Sequence, residues 1–382
     1  MNLGRDNYPE LRDAVRELCN GFDSAYWQKI DEQRAYPEAF VDALTKAGWM
    51  SALIPEEFGG SGLSLTEATV IMEEVTRSGG NAGCCHGQMY NMNTLLRNGS
   101  PEQKKRYLPR IAKGELRLQS MGVTEPGAGT DTTRIKTVAV RKGDRYIVNG
   151  QKVWTSRLQH SELMILLTRT SPFDAQKKSA GMSIFLVETS SKGIEARPIR
   201  NMVNHETNAL FIDNLEIPAE NLIGEEGKGF RYILDGLNAE RILIAAECIG
   251  DGYWFIEKSS KYASDRVVFD RPIGQNQGIQ FPIAEAYMEI EAANLMRYKA
   301  ADLFDKKLPC GAEANMAKHL AAKASWEAAN VCLQTHGGFG FAAEYDVERK
   351  FRENRLYLVA PISTNLILSY LAEHVLGLPR SF

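Results

Sequence analysis

The chain has 382 residues, of which 44% are hydrophobic and 24% charged, with a net charge of −3 and a pI of about 6.2. That length and balance fit a folded enzyme with one large core or a few sub-domains, and the lack of a basic excess argues against nucleic acid or an anionic membrane as partner. Cys19, Cys84, Cys85, Cys248, Cys310 and Cys332 show no CxxC spacing and read as reduced thiols, the opening run MNLGRDNYPELRDAV has no apolar stretch for a secretory signal, and no run reaches membrane-spanning length, so a cytoplasmic protein without membrane insertion is expected.

In chain order, LRDAVRELC, EAFVDALTKAG and LTEATVIMEEVTRSGG space apolar residues three and four apart and predict helices. IPEEFGGSG at 54–62 reads as a loop between them, and Ser100-Pro101-Glu102 opens QKKRYLPRIAKG as a capped helix. From about residue 118 the period changes to two. TVAVRKGDRYIVNGQKVWTS carries two turn signals, Lys142-Gly143-Asp144 and Asn149-Gly150, and the second is the stronger hairpin signal. LMILLTRT, MSIFLVET, IEARPI and ALFIDNLEI predict further strands, and after IPAENLIGEEGKGF the helical period returns, with 230–264 as one long helix. The order is helices, antiparallel sheet, helices. No strand-helix-strand unit occurs, which argues against a Rossmann-type dinucleotide fold.

His86, His160, His205, His319, His336 and His374 form no HExxH pair and no zinc-spaced cluster with cysteine, so no metal site is expected. No GxSxG elbow appears, and Cys84-Cys85 reads as a pair of small buried thiols. Four segments stand out together: MGVTEPGAGTD, GQKVWTS, SDRVVFDRPIGQNQGIQ and LQTHGGFGF. The first is a glycine-rich turn, but it has no lysine and precedes a strand, so it does not suit a phosphate cradle. Taken singly, each segment has an ordinary structural explanation.

In this order and spacing, VTEPGAGTD, NGQKVW and QTHGGFGF resemble the acyl-CoA dehydrogenase family of flavoproteins across essentially the whole chain. The resemblance implies an α+β fold with an N-terminal helical domain (1–118), a middle antiparallel β domain (119–224) and a C-terminal domain like a four-helix bundle (225–382). It implies FAD as cofactor, with Met121, Val123, Thr124 and Thr130 along the isoalloxazine ring, Thr130 also touching CoA, Trp154 covering the ring and Ser156 in place of a threonine that hydrogen-bonds flavin N5. Arg266, Phe269, Gln277, Gln334 and Gly338 match positions that hold the adenine and pyrophosphate end from a neighbouring subunit, which implies at least a homodimer, with a homotetramer as the family habit. Asp270 replaces a common glycine there. Ser363 and Asn365 fall on further FAD contacts.

The family removes the α-proton of an acyl thioester with a carboxylate while hydride leaves the β-carbon, giving a trans-2-enoyl-CoA and passing electrons to an electron-transferring flavoprotein, typically in fatty acid metabolism. Aligned with Arg352 and Tyr357 in register, the common C-terminal base position falls on Pro361, which offers neither a carboxylate nor an N–H for the thioester oxygen. The Ile362 N–H would substitute if the loop shifts by one residue. A second family position for the base falls on Glu240, followed by Arg241 at a CoA-binding arginine and preceded by Asn238 in place of an aspartate that contacts CoA. Glu247 shares the helix face but matches no family base. Cys84, Cys85 and His86 fall on the segment lining the deep end of the acyl cavity, where a histidine implies a short or polar tail; ordinary packing explains them as well. The leading expectation is an FAD-dependent acyl-CoA dehydrogenase with Glu240 as base and Glu125–Thr130 in the cofactor and CoA cradle. The same fold without dehydrogenation, as in monooxygenase relatives or other thioester chemistry, and a carrier-protein thioester as substrate stand as alternatives.

Overall fold

The computed structural model describes residues 7–380, so the first six residues of the amino-terminal run quoted above lie outside it. Among the described residues six α-helices come first: α1 (Pro9–Cys19), α2 (Ser24–Glu32), α3 (Glu38–Lys46), α4 (Leu65–Arg77), α5 (Gly83–Asn98) and α6 (Pro101–Ala112). Local chemistry explains two of their starts. Ser64 and Ser100 accept from the backbone of Glu67 and Gln103, whose side chains reach back to the capping residue, so each start satisfies two otherwise orphaned donors.

Eight strands follow: β1 (Ser120–Gly122), β2 (Val138–Lys142), β3 (Arg145–Ser156), β4 (Leu163–Arg169), β5 (Met182–Glu188), β6 (Ile194–Pro198), β7 (Thr207–Pro218) and β8 (Leu222–Ile223). They form one sheet in the order β6-β7-β3-β2-β4-β5-β8, with β1 beside β4. The sheet is mixed and not wholly antiparallel, because β1 runs parallel to β4 and β2 meets β4 in parallel at Val138–Arg169. Every residue of β4 is buried, as expected of a strand covered on both faces, and its period-two signal is lost. Asn149-Gly150 is not a turn. It lies inside β3 at a register shift against β7, and a Cβ on Gly150 would fall 2.4–2.7 Å from Thr137. The glycine is there for close approach at a bulge. The β2–β3 connection is the two-residue turn Gly143-Asp144 within the Lys142-Gly143-Asp144 signal, with Gly143 at φ 64°.

The last part comprises α7 (Gly229–Asp265), a short ribbon of β9 (Val267–Val268) and β10 (Arg271–Pro272), α8 (Gln277–Asp305), α9 (Gly311–His336), α10 (Val347–Asn354) and α11 (Thr364–His374). The ribbon has no sequence counterpart in the expectations above.

The chain forms two compact units. One contains Ala35–Leu63 and Gly83–Glu240, and its sheet core packs Tyr146, Val148, Met164, Leu166, Phe185, Leu210 and Ile217 together. The other contains Met1–Arg34, Ser64–Ala82 and Arg241–Phe382. In it Gly250 of α7 lies against α4, where a Cβ would fall 2.1 Å from Thr76 Oγ1. Glu73 receives Arg12 Nη1 at 2.8 Å and Arg297 Nη2 at 2.6 Å, all three side chains buried. No helix among the described residues is long and apolar enough to cross a membrane, and the six cysteines are buried free thiols.

Candidate active site

In the sheet-containing unit, β1 delivers the chain into the turn Glu125–Ala128, closed by reciprocal backbone bonds of 3.3 and 3.0 Å. Glu125 does not face outward with the rest of the turn. Its carboxylate is buried, accepts from the N–H groups of Lys136 (2.6 Å) and Thr137 (2.9 Å), and pairs with Lys152 Nζ at 2.9 Å. Burial pushes the Lys152 ammonium down to about 8, against the pull of Glu125. For Glu125, burial works upward, but Lys152 and the two backbone donors outweigh it and hold the carboxyl below its usual range. Lys152 also donates to the Val123 carbonyl at 3.0 Å, and Val153 N–H donates to that of Thr124 at 2.9 Å, so the acceptors of this stretch are used inward. Met121, Val123 and Thr124 are half-buried and Thr130 is exposed. Beside Gly127 and Gly129 a Cβ would meet no atom within 4 Å.

Next to this turn, β3 shifts register against β7 between Lys152 and Thr155. Trp154 sits on that bulge at φ 60°, with 59% of its surface exposed. A large aromatic in left-handed backbone, turned out of the sheet, is a conformation that packing alone does not favour. Two residues on, Ser156 Oγ accepts from Asn204 Nδ2 at 2.8 Å and lies 2.9 Å from Thr207 Oγ1. Arg157, His86, Cys84 and Cys85 are buried, with Arg157 Nη2 3.3 Å from His86 Nε2.

On α7, Glu240 is 5% exposed, Arg241 7%, and Asn238 is half-buried. Glu247 is fully buried and already engaged, since Tyr357 Oη donates to its Oε2 at 3.2 Å. Burial first, then Glu247, pushes the Tyr357 hydroxyl well above its ordinary pKa, so it stays a donor. In the same unit the Ala360–Pro361 bond is cis. The Ile362 carbonyl accepts from buried Lys318 Nζ at 3.0 Å, and Ser363 Oγ accepts the Leu366 N–H at 3.4 Å, capping α11. Asn365 is exposed in the first turn of α11. Arg352 is held by Asp31 at 2.6 Å and Glu348 at 2.8 Å.

A separate group in this unit gathers at the β9–β10 turn and the end of α9. Arg266 lies 5.7 Å from the centre of the Phe339 ring, and beside Gly337 and Gly338 a Cβ would again meet nothing within 4 Å. Phe269 and Asp270 form the two-residue turn, both with positive φ (51° and 60°), as in a primed hairpin turn. That accounts for a glycine being suited to position 270 and for aspartate being tolerated. Phe269 is 94% exposed. Gln277 opens α8 and Gln334 lies in the last turn of α9, both exposed.

Among the described residues no group of three or more His, Cys, Asp or Glu side chains is placed to hold a metal. The residues do fit a flavin dinucleotide. Two glycine turns with open Cβ directions admit close approach by a ligand, an exposed indole offers a flat apolar face, and an arginine flanks the second turn. The sequence did not single out Lys152, Arg157, Asn204 and Thr207, although Lys152 lies within the quoted GQKVW.

The comparisons with known proteins agree with this reading. The chain matches models of the acyl-CoA dehydrogenase N-terminal domain over residues 6–115, middle domain over 120–215 and C-terminal domain over 227–375. The chain belongs to the acyl-CoA dehydrogenase family. It is 34% identical to the acyl-CoA dehydrogenase FadE12 of Mycobacterium tuberculosis, covering 97% of this chain and 96% of that protein. It is 35% identical to cyclohex-1-ene-1-carbonyl-CoA dehydrogenase of Syntrophus aciditrophicus, over 93% and 86%. The solved glutaryl-coenzyme A dehydrogenase complex with glutaryl-CoA superposes with a TM-score of 0.92 at 30% identity, covering 100% of this chain and 98% of that one. The acyl-CoA dehydrogenase fold follows, as does an oxidoreductase of the acyl-CoA dehydrogenase type in a family that depends on FAD.

Proposed function

We propose that the protein dehydrogenates an acyl-CoA to the trans-2-enoyl-CoA with Glu240 as the base that removes the α-proton. The observation that carries this is the burial of the Glu240 carboxylate on α7, immediately before buried Arg241. A carboxylate is among the side chains that serve as general base when they lie within reach of the proton to be removed. Arg241 supplies a cation for the CoA portion, with Asn238 and Thr130 alongside. Glu247, which accepts from Tyr357, matches no family base position, and Pro361 has no proton-accepting group.

Bound FAD supplies the two-electron oxidant that accepts the β-hydride. Met121, Val123, Thr124 and Thr130 would border its ring system, Trp154 would cover it, Ser156 would donate to N5, and Ser363 and Asn365 would add contacts. Arg266, Phe269, Gln277, Gln334 and Gly338 would hold the adenine and pyrophosphate end of a flavin belonging to another protomer. The nearly complete exposure of Phe269 supports that arrangement, so a homodimer is the smallest complete enzyme and a homotetramer its expected assembly. The segments 1–118, 119–224 and 225–382 are the proposed functional domains, fatty acid metabolism the setting, and an electron-transferring flavoprotein the acceptor.

The test is an anaerobic titration of the purified yellow protein with short, branched and longer acyl-CoAs, following the visible flavin band. Bleaching by one class and its loss in Glu240→Gln are expected. If no acyl-CoA bleaches the flavin while dithionite does, or if Glu240→Gln bleaches normally, the assignment is wrong.

A further inference from the structure

Ser156 and Thr207 face each other across β3 and β7, their hydroxyl oxygens 2.9 Å apart. Asn204 serves both: its Nδ2 donates to Ser156 Oγ at 2.8 Å and to Thr207 Oγ1 at 3.0 Å. Thr207 in turn donates its hydroxyl proton to the Asn204 backbone carbonyl at 2.7 Å. Which end of an amide is oxygen must be settled by its neighbours. Arg157 settles it, because a guanidinium has donors only and Nη1 lies 3.4 Å from Asn204 Oδ1. The amide oxygen therefore faces Arg157, and the NH2 group faces the two hydroxyls.

The proton inventory then closes. Both amide protons are spent, one on each hydroxyl, and the Thr207 proton is spent on a backbone carbonyl. The Ser156 proton is the one hydroxyl proton of the trio without a fixed acceptor; it points to Thr207 or outward. With Asn204 donating to one of its lone pairs, Ser156 Oγ keeps its proton free to give.

We propose that Arg157, acting through Asn204, locks Ser156 as a hydrogen-bond donor toward flavin N5, so that Asn204 and Arg157 are positioning residues for the hydride-accepting atom. This rests on the flavin reading above. Arg157 is itself firmly anchored. It is 4% exposed, its Nη1 also donates to the Gly83 carbonyl, its Nη2 lies beside His86 Nε2, and its backbone N–H donates to the Glu206 carbonyl at 2.9 Å. Asn204 has φ 57°, a backbone that asparagine and aspartate adopt more readily than other non-glycine residues.

The test reverses the polarity without changing shape. Asn204→Asp keeps the left-handed backbone and the contact to Arg157, but offers acceptors only, so Ser156 must donate to it and turn lone pairs to the flavin. The variant should load FAD, show a lower flavin midpoint potential, and be bleached by acyl-CoA on the order of 100-fold more slowly, the cost of one lost donor in comparable sites. The added negative charge lowers the potential by itself, so the variant is also made in a Ser156→Ala background, where its effect on bleaching should shrink to within about twofold, the usual limit for independent sites. Equal losses from Asn204→Asp with and without Ser156 overturn the proposal. If no acyl-CoA bleaches even the parent, the dehydrogenase assignment fails on its own. The relay is then decided by the potentials: a drop in Asn204→Asp that Ser156→Ala leaves unchanged sinks it, and one that Ser156→Ala reduces sustains it.

Discussion

Lys152 Nζ lies 2.9 Å from Glu125 Oε1, with both side chains shut off from solvent. The pair ties β3 to the glycine-rich turn from behind. Lys152→Met would leave a buried carboxylate with backbone donors but without its paired ammonium, at a cost of about 3–5 kcal/mol. Glu125→Gln combined with Lys152→Met removes the stranded charge and should recover much of that loss. Denaturant unfolding of the three proteins checks the order; a double variant no better than Lys152→Met would contradict it.

The open glycines give a cleaner probe of the cofactor. In the free chain a Cβ at Gly129 or Gly338 would meet no atom within 4 Å, and neither residue has positive φ. Gly129→Ala and Gly338→Ala should therefore leave the apoprotein within about 0.5 kcal/mol of the parent, as for surface changes in general, yet lower its FAD content after purification. Flavin absorbance per polypeptide, beside apoprotein melting, measures both. Full flavin occupancy in both variants would remove these turns from the site.

Two buried carboxylates should respond to acid with opposite sign. Glu125 has a folded pKa below its ordinary 4.5, so it contributes stability above pH 4.5 that is lost as pH falls through the lowered value. Asp251, fully buried beside Lys350, is raised by burial from 3.8 to about 6. Its folded form binds the proton more tightly than the unfolded chain does, so its share of stability rises as pH falls from about 6 toward 3.8. Hydrogen exchange, corrected for intrinsic rates, should show tighter protection around Asp251 at pH 5 than at pH 7. Protection around residues 123–137 should decline only below pH 4.5.

Much of this was legible in the sequence, for definite reasons. The single helix expected at 230–264 appears as Gly229–Asp265, because a long 3.6-residue period outweighs internal glycines once these serve close packing, as at Gly250. Asn149-Gly150 misled because the same dipeptide that makes a two-residue turn also suits a bulge where another strand crowds the backbone. The parallel seat of β1 beside β4 was invisible, since pairing partners some forty residues apart leave no local signature. The site divides in the same way. Trp154, Ser156 and the glycine turns lie in short contiguous runs and announce themselves. Arg157, Asn204 and Thr207 meet Ser156 only once β3 and β7 bring them together, and nothing in the intervening chain marks them.

The β9–β10 turn carries a consequence for handling the protein. Phe269 stands almost wholly in water on a turn of two residues, beyond the reach of its own core. On the proposed assembly each protomer carries one part of its own flavin site and the complementary part of its neighbour's. Cofactor occupancy then depends on the concentration of protein as well as that of FAD. Simple dilution should bleed flavin from the enzyme, and reconcentration should restore it without added reagent.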